Sequence, residues 1–171
     1  AVAFVLRYSH LSKALSLIRF SEIRNIYVRF FNKLDQKINE QKQSQKNAKS
    51  RLEELKEFFK IQISELEPRL NDYVEQCNKR GMNASCSVND YSFSFTLKNQ
   101  NGFFKTIIFH QDFSSDRFQF TNEFMNDDRK KYTSTDGMSY VESSWTQELA
   151  IKKVEQTIED FVFYAKRHGG I

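Results

Sequence analysis

The sequence predicts an α+β fold with a long N-terminal helix, an antiparallel β-meander of about five to six strands, and a C-terminal helix. Apolar residues recur at helical spacing up to Arg80, alternate from Tyr91 to Leu97, and return to helical spacing after Ser144. The 17 Phe and single Pro among 171 residues indicate a large aromatic core. We expect a basic helical arm over residues 1–80 and a sheet with the C-terminal helix over 81–171, joined without a linker.

Residues before Ser21 are expected to form either a short helix ahead of the long one or a continuation of it. The apolar residues of this segment share one helical face, and Ser21 followed by Glu22 is typical of a new helix N-terminus. The residues on that face are Phe4, Tyr8, Leu11, Leu15 and Ile18.

The long helix is predicted from about Ser21 to Arg80. Its apolar stripe lapses into polar residues through Asn39–Ser50, a gap without Gly or Pro. At about 100° per residue the blocks on either side of the gap fall within roughly 20° of each other. Gly81 then marks the C-terminus. Two alternatives remain open: a hairpin turn within Asn39–Ser50, and a break that restarts the helix at Pro68.

Beyond Gly81 the period of two predicts strands joined by short turns. The first four are expected at Ala84–Val88, Tyr91–Lys98, Phe103–His110 and around Phe118–Thr121. A last hairpin is expected from Lys131–Thr135 and Met138–Glu142 around the turn Asp136-Gly137.

The C-terminal helix is predicted to start at a capping box, with Ser144 as N-cap and Gln147 three residues later. Its apolar stripe runs from Leu149 to Ala165, and three basic residues at 166–168 follow it.

The stripe of the long helix predicts a protein partner, because a helix this long outgrows the sheet that follows it. The same positions fit a heptad, in which polar residues at the seam weaken a coiled coil but fix its register. We therefore predict a non-enzymatic assembly or adaptor protein that associates with itself or another chain through residues 22–80. Coverage of the stripe from within the chain is the alternative. The predicted interface residues are Phe31, Leu34, Ile38, Leu52, Leu55, Phe59 and Leu66.

Charge supports a second hypothesis, a nucleic-acid-binding accessory protein. Residues 1–51 hold 11 Lys/Arg and 3 Asp/Glu, a net charge of +8, whereas the remaining residues hold 15 and 19, a net charge of −4. Such a basic arm can follow phosphates. The expected contacts are Arg24, Arg29, Lys33, Lys37 and Lys42.

We identify no catalytic, cofactor-binding or metal-binding motif in the sequence. His10, His110 and His168 fall on three different elements, so no local nucleophile and base converge. Acidic residues near the predicted turns are explained by turn chemistry. No cofactor or metal is therefore expected.

Cellular location is predicted from cysteines and hydropathy. Cys77 and Cys86 are too few for a disulfide scaffold, which favours a reducing, intracellular and cytoplasmic setting. No apolar run is long enough to span a bilayer, and no secretory signal is evident. Residues 1–21 lack acidic residues, so a mitochondrial matrix location or contact with an anionic membrane surface is the alternative.

Overall fold

A computed structural model describes the secondary structure of residues 2–170 and the side chains of residues 27–170. It confirms the α+β fold: a long helix, an antiparallel five-stranded sheet and a C-terminal helix. The chain divides into two compact units, Ala1–Arg51 and Leu52–Ile171. The second unit therefore includes the last part of the long helix as well as the sheet.

Helix α1 runs without interruption over Val2–Lys79. The predicted unbroken helix is therefore confirmed, and the structure shows neither a separate short helix ending near Ser21 nor the alternative hairpin within Asn39–Ser50, because neither segment contains a Gly or Pro that would stop the helix. The helix also continues through Pro68, which is exposed. Because proline lacks an N–H, the carbonyl of Ser64 loses its helical donor there, on a side of the helix where Ser64 and Pro68 are both exposed.

The C-terminus of α1 is a Schellman motif, as Gly81 predicted. Gly81 adopts a positive φ of 82°. Its N–H donates to the carbonyl of Asn78 at 3.1 Å, and the N–H of Met82 donates to the carbonyl of Cys77 at 3.1 Å. Met82 is buried beside Cys77, so the motif also directs the chain into the core at the start of the sheet.

Seven strands follow, five in one sheet and two in a separate pair. In chain order they are β1 (Asn83–Asn89), β2 (Ser92–Lys98), β3 (Phe104–His110), β4 (Arg117–Phe118), β5 (Phe120–Met125), β6 (Lys131–Thr135) and β7 (Tyr140–Val141). The sheet order is β1-β2-β3-β5-β6, with every neighbouring pair antiparallel, and β4 pairs with β7.

The last predicted hairpin was wrong, since β6 and β7 do not pair with each other. β6 returns along β5 with Asn122 opposite Ser134. The turn between them depends on Asn126, whose side-chain oxygen accepts from the N–H groups of Asp128 and Lys130 at 3.1 and 3.0 Å. Asp136 does not close a hairpin, because its carboxylate is bonded to Lys153 and Tyr140 instead.

Helix α2 spans Gln147–Ala165, and its N-cap is Thr146. The predicted cap at Ser144 was wrong by two residues. Thr146 is extended and its hydroxyl accepts from the N–H of Leu149 at 3.0 Å, whereas Ser144 ends a short 3-10 turn. The buried face of α2 is formed by Ala150, Ile151, Val154, Thr157, Phe161 and Ala165.

The core of the second unit is aromatic. Phe59 of α1 is 1 % exposed, and its ring lies 5.6 Å from that of Phe109, 5.6 Å from Phe118 and 5.5 Å from Trp145. Phe93 of β2 stacks on Phe109 at 5.8 Å. One face of the sheet therefore packs against the helices. The other face carries the alternate polar residues, including a contact between the Thr96 and Thr106 hydroxyls at 2.9 Å.

Candidate interaction surface

The first unit presents apolar side chains to solvent. Every residue from 27 to 51 is exposed. Four of them, at successive a and d positions of the heptad pattern, form what we call the N-terminal seam: Tyr27, Phe31, Leu34 and Ile38. Tyr27 is 64 % exposed and Phe30, beside the seam, is 60 % exposed.

Ring contacts hold the start of the seam together along the helix. The rings of Tyr27 and Phe31 are 4.5 Å apart, and those of Phe30 and Phe31 are 5.2 Å apart at an interplanar angle of 89°. The contact between Tyr27 and Phe31, one turn apart, supports the helix locally but leaves the outer surfaces of the rings open. Large exposed apolar patches of this kind mark sites of interaction.

The predicted interface residues fall into two groups. Phe31, Leu34 and Ile38 are exposed, about 40 % each. Leu52 is half-buried, and it begins the second unit. The others are buried in the core of the second unit, where this chain itself covers them; these residues are Leu55, Phe59 and Leu66.

This difference has a simple physical origin. The stripe keeps one phase along α1, so periodicity identifies its apolar face but not what covers it. Leu66 and Leu34 have the same residue type and lie on the same face, yet Leu66 is 0 % exposed and Leu34 is 39 % exposed. Tyr27 and Phe30 were not among the predicted interface residues. Their proximity to Phe31 adds them to the exposed surface.

The predicted nucleic-acid contacts are exposed where the structure describes them. Arg29, Lys33, Lys37 and Lys42 are all exposed, whereas the side chain of Arg24 lies outside the described residues. The predicted membrane contact of residues 1–21 also lies outside the residues whose side chains the structure describes. Over residues 27–51 the chain carries seven Lys/Arg and two Asp/Glu, a net charge of +5.

The second unit contains a pocket of about 570 Å³ at the C-terminal end of α2. Two polar pairs line it, Lys105 with Asp160, and His168 Nε2 with Asp127 Oδ1 at 3.1 Å, and Asp128 and Arg167 line it as well. The ring of His168 stacks on Phe103 at 4.3 Å. These pairs join the end of α2 to the sheet and to the β5–β6 turn, which gives the pocket a structural explanation.

A smaller cavity of about 170 Å³ lies beside a largely buried charged cluster. Lys153 Nζ is 2.8 Å from Asp136 Oδ2, and the Tyr140 hydroxyl donates to the same carboxylate oxygen at 2.8 Å. The side chains of Lys153 and Asp136 are 17 % and 10 % exposed. The sequence did not reveal this cluster, because Asp136 reads as a turn residue and Lys153 as the solvated flank of a helix.

Burial and hydrogen bonding act in opposite directions on the pKa values of this cluster. Burial opposes the charged form of Asp136, but hydrogen bonds from Lys153, Tyr140 and the Met138 N–H outweigh it and lower the pKa of Asp136. Burial also opposes the charge on Lys153, yet its bonds to Asp136 and Tyr140 raise the pKa of Lys153. Burial and the bond to Asp136 raise the pKa of Tyr140. The cluster is a fixed ion pair at neutral pH.

The remaining titratable groups of interest are two thiols. Cys77 and Cys86 are free, and burial raises the pKa of each. A raised pKa leaves little thiolate at neutral pH, so both thiols are weak nucleophiles.

Within the described residues, no helix combines the length and apolar character needed to cross a membrane. Comparison of the chain with protein-family models, curated proteins and solved structures finds no match. Function is therefore inferred from the residues of this chain alone. The surface that most needs an explanation is the N-terminal seam.

Proposed function

We propose that this chain is a non-enzymatic interaction protein, an assembly or adaptor subunit that binds a protein partner through the N-terminal seam of α1. The supporting observation is the exposure of Tyr27, Phe31, Leu34 and Ile38 on one helical face. Full burial of a side chain of this size is worth about 1.5–3 kcal/mol. A partner helix that covers the seam therefore gains several kcal/mol before the costs of association.

In the second unit, the apolar stripe of α1 packs against other apolar side chains of the same chain. Leu55, Phe59 and Leu66 continue the same stripe and are buried against the aromatic core of the second unit. The N-terminal seam has the same spacing and side-chain types. It is suited to the same kind of packing with another protein.

Site-specific photocrosslinking in the full-length chain tests this function. A photoreactive residue replacing Leu34 should form protein adducts in the native source, whereas one replacing Ile61 should not. Ile61 is a matched control because it is 46 % exposed on the same helix but lies off the stripe. A second variant, Phe31→Asp with Ile38→Asp, should remove the adducts at position 34. Equal adducts at positions 34 and 61, or adducts that survive the double substitution, would contradict the proposal.

The exposed basic residues favour nucleic-acid binding as a second candidate function. Arg29, Lys33 and Lys37 recur every four residues and so follow one side of the helix. Affinity that came from phosphate contacts would fall steeply with salt. The double substitution Phe31→Asp with Ile38→Asp would leave this affinity for nucleic acid unchanged, apart from the general effect of two added negative charges.

A further inference from the structure

The heptad register of the N-terminal seam also identifies the residues that flank it. With Phe31 and Ile38 at a positions and Leu34 at a d position, the flanking e and g positions can be read from the sequence. Beside the seam itself these positions are Val28, Phe30, Asp35 and Lys37, and beyond Ile38 they continue as Lys42, Ser44, Lys49 and Arg51. The basic flanks thus begin at Lys37 and lie mainly along the polar continuation of the stripe, where three of four flanking residues are basic and none is acidic. In a coiled coil such residues meet the flanks of the partner and determine which partner is accepted.

We infer that the partner is an acidic amphipathic helix: an apolar stripe bordered by Glu or Asp. This inference rests on the proposed function, and it goes further by assigning the chemistry of the partner. The apolar stripe would cover Tyr27 through Ile38. The acidic borders would lie against Lys37, Lys42 and Lys49, all of which are exposed.

A second copy of this chain does not fit the seam when like segments pair. In a parallel pair the g position of one helix meets the following e position of the other. This places Lys37 against Lys42 of the second copy. An antiparallel pair brings e to e and g to g, so basic flanks again meet basic flanks. Like charges at such positions oppose association.

A second copy does not fit through its other surfaces either. The residues from 52 onward are acidic overall, with 15 Lys/Arg and 19 Asp/Glu. Yet the exposed large apolar side chains described there are dispersed over α1, β6, the β6–β7 connection and α2: Ile61, Tyr132, Met138, Phe163 and Tyr164. The first unit of a second copy thus offers an apolar seam in a basic segment, and its second unit offers net negative charge without an apolar seam.

A nucleic acid matches the charge but only part of the apolar surface. Bases can stack on the exposed rings of Tyr27 and Phe31, whereas Leu34 and Ile38 have no ring and would stay in water. An acidic helix satisfies both features together. The polar seam residues Gln41 and Gln45 then favour a partner with polar side chains opposite them, because buried polar seam positions select the register.

Two designed peptides of about 28 residues, four heptads each, test the inference with the full-length chain. They share the same leucine seam, and one carries Glu and the other Lys at every flanking position. Each peptide repels itself, so both remain available for binding. We expect the Glu peptide to bind roughly tenfold to hundredfold more tightly than the Lys peptide, because several charge pairs change from repulsive to attractive. Affinities are measured by fluorescence anisotropy at low and high salt.

Charge reversal at the flanks should exchange this preference. The variant Lys37→Glu, Lys42→Glu, Lys49→Glu should favour the Lys peptide. A matched variant with the same change in net charge, Arg29→Glu, Lys33→Glu, Lys46→Glu, alters positions away from the seam and should retain the preference for the Glu peptide. If both triple variants lose the Glu peptide equally, the selectivity is general electrostatics and the inference is overturned.

The remaining outcomes separate the inference from the proposed function. If both peptides bind equally, and the double substitution Phe31→Asp with Ile38→Asp abolishes that binding, the acidic partner is overturned while the proposed function is supported. Self-association measured by sedimentation, with neither peptide bound, would replace the acidic helix with a second copy. If neither peptide binds, and a 20-mer single-stranded DNA binds tightly even to the double variant, both the acidic partner and the proposed function are overturned in favour of nucleic-acid binding.

Discussion

Lys153 shows how a single residue can fix a part of the fold far from it in sequence. Its ammonium group bonds to Asp136 at 2.8 Å and lies 5.8 Å from the centre of the Tyr140 ring. One residue of α2 thereby holds both ends of the segment that leads from the sheet to β7. The charges are largely buried, so each needs the other: removal of one leaves an uncompensated charge in the interior.

Replacement of Lys153 by methionine should lower the free energy of unfolding at neutral pH by about 3 kcal/mol, because Asp136 then loses its buried cation. Lys152→Met is the matched control, since Lys152 is exposed and adjacent on the same helix. It should change stability by less than about 0.5 kcal/mol. Urea unfolding followed by the fluorescence of Trp145 measures both, and equal effects would contradict the assigned role of the ion pair.

The sign of the pH dependence follows from the same pair. The lowered pKa of Asp136 means that its contribution is present above the ordinary aspartate value of about 4 and is lost as the pH falls through the folded value. The raised pKa of Lys153 means that its contribution is present below the ordinary lysine value of about 10.4 and is lost as the pH rises through the folded value. In Lys153→Met the Asp136 carboxylate keeps its bonds from Tyr140 and the Met138 N–H but loses the ammonium group that helps to lower its pKa. The deficit of the variant should therefore shrink below about pH 4.

At the scale of elements, α1 was predictable because its phase survives a polar interval. Asn39–Ser50 lacks Gly and Pro, and the apolar blocks on either side share one face. Its C-terminus was predictable too, since Gly81 provides the positive φ that a Schellman motif requires. Its N-terminus was not: Ser21 has the chemistry of a cap, but a serine inside a helix costs too little to end it.

Strand pairing and coverage were harder to predict than strand existence. Asp136-Gly137 has the composition of a hairpin turn, but Asp136 bonds to Lys153 of α2, a tertiary contact that no local pattern contains. The candidate site shows the same limit. Periodicity identified Leu34 and Leu66 as one stripe, and only the folded core distinguishes the exposed leucine from the buried one.

Two substitutions of the same type on the same helix should therefore differ sharply. Leu66→Ala should cost about 2–5 kcal/mol, because it removes buried methyl groups and leaves a cavity. Leu34→Ala should change the free energy of unfolding by less than about 0.5 kcal/mol, because it alters only an exposed side chain. Urea unfolding monitored by Trp145 fluorescence compares them. A large loss of stability in Leu34→Ala would mean that the seam is covered within the chain and would remove the case for a partner.

At the scale of the whole molecule, the two units differ in what stabilises them. The second has an aromatic core with Trp145 among its rings, only 5.5 Å from Phe59. In the first, residues 27–51 are helical and exposed throughout, with local contacts such as the bond from Gln36 to Glu40 at 2.9 Å. Helices without tertiary packing are marginal in water even when their sequences favour them.

The units should consequently unfold in two steps when no partner is bound. Helical circular dichroism at 222 nm should begin to fall at lower urea concentration than the fluorescence of Trp145 changes, since the exposed helix lacks a core to protect it. The variant Asn39→Ala with Ser44→Ala gains about 0.5 kcal/mol of helix propensity per site and should delay only the first step. Addition of the Glu peptide should also delay that step, because ligand binding to the folded helix stabilises it. Coincident transitions by both probes, unchanged by the alanines, would show that residues 27–51 share in the stability of the core and need no partner to hold their structure.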